Sequence, residues 1–307
     1  MIPRLALFFT FILTAALGSP LPAAEPFRPN LGPDLPHITI TCGEVTLLLR
    51  QQSQWTPGRI DFRGVPMTTE KSAYGTVFNF PELGFIGTQH LENEPEELTS
   101  LRFELDGQTI AAPGETLSGE HFLFHRESRI RNFTLHCTVE IRDNRLYETT
   151  TFSNAEAVPL KLVYHFMHAW TPTVSAYLAG NDAEPETRIA GPLTDGTEVA
   201  RLFYIKQPVD WMAVYEAGSR QFAVSRLLEV PAAAKPVSMI WNVPGTYRKY
   251  YLKNFDNDTV PAGFKGTWRM VTAFGESRVG EWESAARDVA GALGALGALG
   301  ALGALGE

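Results

Sequence analysis

The sequence is short of cysteine, of positive charge in one place, and of long apolar runs past its start. Only Cys42 and Cys137 occur in 307 residues, with no CxxC pair, so a structural zinc site has no ligands to build on. In an exported protein the two thiols could bridge, but sequence alone leaves both the paired and the free state open. Lys and Arg number 26 against 34 Asp and Glu, and no basic stripe gathers them. The formal net charge is −8, which argues against a nucleic-acid partner. There is no phosphate-binding glycine loop, and the absence of GxSxG removes the usual serine-hydrolase signature. Nothing in the composition calls for a cofactor or a resident metal.

The one long apolar run is N-terminal. Arg4 precedes an apolar stretch from Leu5 to Gly18, and small residues lead to Ala23-Ala24. This is a secretory signal pattern over residues 1–24. At about 14 residues it is short for a membrane span, which takes about 20. The expectation is a secreted or periplasmic protein with no stable membrane span after signal cleavage. Residues 25–36 read as an extended lead-in. At the other end Ala-Leu-Gly repeats five times between Gly291 and Glu307. A period of three drifts around a helix, and glycine every third residue weakens it, so 291–307 reads as a disordered or fraying tail.

Between these ends strand signals dominate and predict one all-β domain over 37–290. Phe133, Leu135, Cys137, Val139 and Ile141 alternate onto one face, and Asp143-Asn144 turns the chain into a return strand. Asp106-Gly107 is a second hairpin signal. Further strands are expected near 160–170, 201–206, 211–217, 220–230, 237–242, 247–253 and 265–274. Short turns between them favour an antiparallel sandwich over parallel strands with crossover helices. One short C-terminal helix is expected, where Trp282, Ala285, Ala286 and Val289 form a single apolar stripe.

The stretch YHFMHAW, 164–170, holds two histidines among aromatic residues. Strict alternation would send His168 and Trp170 to one face and His165 to the other, so the two imidazoles would not share a metal. His168 beside Trp170 suits either a sugar-binding face or a hydrogen-bonded core group. In GFIGTQHLENEPEEL, Gly84 and Gly87 precede His90, and Glu92 is the first of four following glutamates. A carboxylate near an imidazole orients it for acid–base work. Arg59 and Asp61 read as a hairpin pair.

In order and texture the chain resembles the galactose mutarotase-like superfamily. The segments carrying the resemblance are WTPGRIDFRGVPM, GFIGTQH, the Glu148-containing LYETTTFSN, LKLVYHFMHAW and the closing VPAGFKGTWRMVTAF, which together span most of 37–275. The resemblance implies a large antiparallel β-supersandwich and a carbohydrate ligand on the concave sheet face. It also implies a histidine general acid at His90 and at His165 or His168. The glutamate base of such epimerases is expected where this chain reads VPGTYRKYYLKNF, with no carboxylate. An enzyme reading therefore places the acid at His90 or His168 and relocates the base to Glu276 or Glu92. A binding reading takes Arg59, His90, Glu92, His165, His168, Trp170 and Arg248 as sugar contacts. A third reading is a non-catalytic envelope module whose histidines belong to the core.

Overall fold

The structure is a computed structural model that describes residues 37–51, 54–69, 75–88, 90, 93–110, 116–185, 189–194 and 203–303. The signal pattern at 1–24, the lead-in at 25–36 and Glu92 lie outside the described residues.

The fold is all-β, with antiparallel sheets and one C-terminal helix. A ten-stranded sheet takes its middle from the hairpin that alternation predicts. Phe133–Arg142 pairs with Arg145–Asn154, closing at Arg142 opposite Arg145. Asp143 and Asn144 both adopt positive φ there, as a two-residue hairpin turn of right-handed strands requires. Lys265–Glu276 adds to one side of this hairpin and Phe122–Ile130 to the other. A six-stranded sheet lies against it, in the order Phe203–Gln207, Val237–Val243, Tyr247–Asn254, Leu162–Trp170, Val77–Phe80, Gly84–Gly87. A five-stranded sheet includes His37–Cys42 beside Thr116–Gly119, the one parallel pairing among the described strands.

The main core fills the space between the sheets. Trp170, Trp268, Phe78, Phe133 and Phe152 are fully buried there, and Phe152 stacks on Trp268 with ring centroids 4.7 Å apart. Each such side chain contributes about 1.5–3 kcal/mol through removal of its surface from water. Cys42 and Cys137 are both buried and free. No helix among the described residues is long and apolar enough to cross a membrane.

The C-terminal helix departs from the tail expectation. It runs from Trp282 to Gly303, well into the Ala-Leu-Gly repeat. Trp282, Ala286, Ala290 and Leu293 bury against the back of the ten-stranded sheet, and Trp282 stacks on Tyr215 at 5.0 Å. The glycines that weaken an isolated helix here thin its packing side. A Cβ on Gly294 would sit 2.7 Å from the Arg226 guanidinium carbon, and that guanidinium donates to the Ala290 carbonyl at 3.1 Å. Tertiary packing overrides the propensity that points to fraying.

Candidate functional site

The two histidines of Leu162–Trp170 share one face, contrary to strict alternation. The pairing with Tyr247–Asn254 slips between His165 and His168, where three steps on one strand match two from Leu252 to Tyr250. The extra residue is Phe166, held at a φ of 55°. This β-bulge turns Phe166 inward and resets the alternation. Val163, His165, Phe166, His168 and Trp170 then face the ten-stranded sheet, while Tyr164, Met167 and Ala169 face away from it.

On the inward side each histidine is occupied by a core partner. The His168 Nε2–H donates to Glu148 Oε2 at 2.7 Å, across the gap between the sheets. That contact sets the tautomer, since a carboxylate only accepts. His165 is 0% exposed, its Nδ1 lies 3.0 Å from Thr76 Oγ1, and its ring packs 4.5 Å from Trp268. Burial alone pushes its pKa from 6.5 down to about 3, so it stays neutral. Trp170 is 0% exposed and meets His168 edge-on at 5.2 Å. Its cross-strand neighbour Arg248 also turns inward, donating to Asn242 and to the Pro172 carbonyl. His168, Trp170 and Arg248 thus come together, but in the core rather than on an open sugar face. Beyond them Arg126 and Glu96 form a fully buried ion pair at 3.2 Å.

The remaining expected residues go elsewhere. Arg59 pairs with Asp61 at 2.7 Å on the five-stranded sheet. Glu276 sits at the end of its strand, held by Arg63 at 3.4 Å and Arg220 at 3.2 Å. Among the described residues no contact brings it to His90 or His168, so His90, His168 and Glu276 do not meet there as one acid–base set. His90 and His168 lie on opposite sides of the six-stranded sheet.

The outward face of that sheet holds the second cluster. His90 is placed by a close backbone approach: a Cβ on Gly87, whose φ is 142°, would lie 2.5 Å from the Thr76 carbonyl oxygen. The His90 amide donates back to the Gly87 carbonyl at 3.0 Å. The imidazole stacks on Phe85 at 4.9 Å, and its Nε2 lies 2.7 Å from the Tyr164 hydroxyl. Beside Tyr164, the Lys249 amine sits 5.0 Å from the Tyr164 ring, 5.3 Å from Tyr251 and 5.5 Å from Trp241. An ammonium over three ring faces gains cation–π attraction. Burial works against it and lowers its pKa from 10.5 to about 8. The Tyr251 phenol is pushed up to about 12, by burial first and by Asp256 second.

Sequence reasoning passed over Tyr164, Lys249, Tyr251 and Trp241. A signal for two of them was present: in TYRKYYLKN, alternation puts Lys249 and Tyr251 on one face with Tyr247, and Arg248 and Tyr250 on the other. Chemically, the cluster offers flat rings for the apolar faces of a ligand, a cation, and a hydrogen-bonded imidazole–phenol pair.

No protein-family model matches the chain, and no curated protein matches it. Solved structures do. The Slr1438 protein of Synechocystis sp. PCC 6803 is 8% identical with a TM-score of 0.49, over 83% of this chain and 100% of that one. A galactose mutarotase-like protein of Clostridium acetobutylicum is 10% identical at 0.45, over 78% and 95%. A GalM/aldose epimerase homologue of C. elegans is 11% identical at 0.46, over 79% and 99%. Several of the similar solved structures thus carry the galactose mutarotase-like or aldose epimerase description, the group that the sequence resemblance names.

Proposed function

We propose that this chain is an exported carbohydrate-recognising protein whose sugar site is the outward face of the six-stranded sheet. The observation that carries the reading is the Lys249 amine within 5.5 Å of three aromatic rings, next to the His90–Tyr164 hydrogen bond. Ring faces suit the C–H surfaces of a pyranose, while the amine, imidazole and phenol suit its hydroxyls. The acidic net balance supports a ligand other than nucleic acid. Export to the periplasm or medium rests on the N-terminal signal pattern. The test is a glycan-array screen followed by titration of each hit against Trp241→Ala. Binding that weakens at least tenfold in the variant supports the reading, and binding unaffected by it places the site elsewhere.

A second reading is favoured by the burial of the Lys249 amine among three rings, which lowers its pKa to about 8. An amine that loses its proton near neutrality can accept one from a sugar hydroxyl, with the His90–Tyr164 pair as donor. That would be an epimerase-type reaction with lysine standing where the resemblance expects a carboxylate. Polarimetry on a hit sugar tests it: the mutarotation rate should climb as pH rises through about 8. A Lys249→Met variant should lose that limb. Rates equal to buffer at every pH would leave a binding protein only.

A further inference from the structure

A cavity of about 270 Å³ opens beside the ends of three strands, Phe203–Gln207, Gln221–Glu229 and Val237–Val243. Both large sheets line it. Ser238 and Leu252 come from the six-stranded sheet, and Leu227 and Glu229 from the ten-stranded one. Val209 and Asp210 come from the connection between Phe203–Gln207 and Trp211–Glu216. That connection is tied down: the Leu227 amide donates to the Asp210 carbonyl at 2.9 Å, and the Asp210 amide to the Gly180 carbonyl at 3.0 Å. Ser238 and Trp241 are three residues apart on one strand, so the cavity and the ring face lie on opposite sides of the six-stranded sheet.

The floor and the rim differ in chemistry. Val209, Ser238 and Leu252 are buried and make a mainly apolar floor. At the rim Asp210 and Leu227 are half-buried and Glu229 is exposed. The charges at this rim are carboxylates, with no Lys, Arg or His among the described residues that line the cavity. Glu229 is met by Arg269 at 3.3 Å. Asp210 meets no cation among the described residues: its Oδ2 accepts the Asp182 amide at 2.6 Å, and its Oδ1 is left without a partner there. The Arg226 guanidinium is already committed to the Asp182 carboxylate.

An apolar cavity of about 150 Å³ takes a benzene ring, so one of about 270 Å³ takes a ring with a short arm. We propose that this cavity binds a small organic cation, a primary amine carried on an apolar ring or chain. The apolar body fills the space between Val209, Leu227 and Leu252. The ammonium stays at the half-open rim beside Asp210, where it keeps part of its hydration and avoids the cost of burying a charge. A carboxylate without a cation matches that charge, while an anion of the same shape meets repulsion from Asp210 and Glu229. The site lies apart from the ring face and does not rest on the sugar reading.

The experiment is calorimetric titration of the full chain with phenethylammonium at neutral pH. Phenethyl alcohol and phenylpropionate serve as neutral and anionic bodies of like size. Expected are binding of the ammonium at least tenfold tighter than of the anion, and weakening with added salt. Asp210→Asn keeps an oxygen for the Asp182 amide and should bring the ammonium down to the level of the alcohol. Leu227→Trp, at a half-buried position, fills the cavity and should remove binding of all the probes. Asp210→Asn decides the case even where Leu227→Trp fails to fold. Equal binding of the probes, or no binding of the ammonium, would overturn the proposal. So would an ammonium preference that survives in Asp210→Asn, which would mean a general attraction to an acidic chain.

Discussion

The two sides of Leu162–Trp170 carry the same kinds of residue and use them differently. Inward, His168 meets a carboxylate, His165 a threonine and Trp170 the core, and all three are sealed between sheets. Outward, Tyr164 meets an imidazole and an amine within a layer of rings that opens at the sheet edge. The His168–Glu148 contact in the first setting ties the two sheets together, and losing either partner would leave a costly unpaired polar group in the core. Polar groups in the second setting are buried too, at 4% exposure for His90 and Tyr164 and 8% for Lys249, and it is the neighbouring rings Trp241 and Phe203 that open toward solvent. A histidine beside a tryptophan is thus no mark of a site until the side of the sheet is known.

That contrast can be broken from either side. The largest stability effect is expected inside: Glu148→Ala strands His168 between the sheets and should cost about 3 kcal/mol in denaturant unfolding. Glycan affinity of the remaining folded protein should hold. A loss of affinity without a loss of stability would mean that the inward pair serves the site after all.

Next comes acid sensitivity through His165. The unfolded chain takes up a proton near pH 6.5, whereas the folded imidazole stays neutral down to about 3. The unfolded state therefore binds more protons in that window, and stability falls on acidification by about 1.4 kcal/mol per pH unit. His165→Gln should flatten that slope, and a slope unchanged in the variant would assign the acid sensitivity to other groups.

The smallest stability effect is expected outside. Lys249 has a folded pKa below its unfolded one, so holding it charged below pH 8 costs stability. Lys249→Met should leave the thermal midpoint at pH 7 equal or higher while removing glycan binding. A midpoint many degrees lower would make Lys249 a structural group like those inside.

Much of the architecture was legible because local rules agreed with the fold. Asp106-Gly107 and Asp143-Asn144 supply positive φ at hairpin turns, and the Phe133–Ile141 alternation is the burial pattern observed. The helix start at Trp282 was legible from its apolar stripe, but its continuation through the glycines was not. That depends on Arg226 and Leu228 of a distant strand filling the space beside Gly294 and Gly297. The site was less legible. His90 was singled out and does face the outward cluster, but Lys249 and Trp241 carry no motif and matter only as neighbours.

By itself the sequence determined the class of the fold, the turns that close its hairpins and the faces of its regular strands, since these follow from residue-by-residue conformational preference and a period of two. Only the tertiary structure decided which face of the histidine strand looks inward. One inserted residue, Phe166, reverses the alternation beyond it, and nothing local distinguishes a bulged strand from a straight one until its partner strand sets the register.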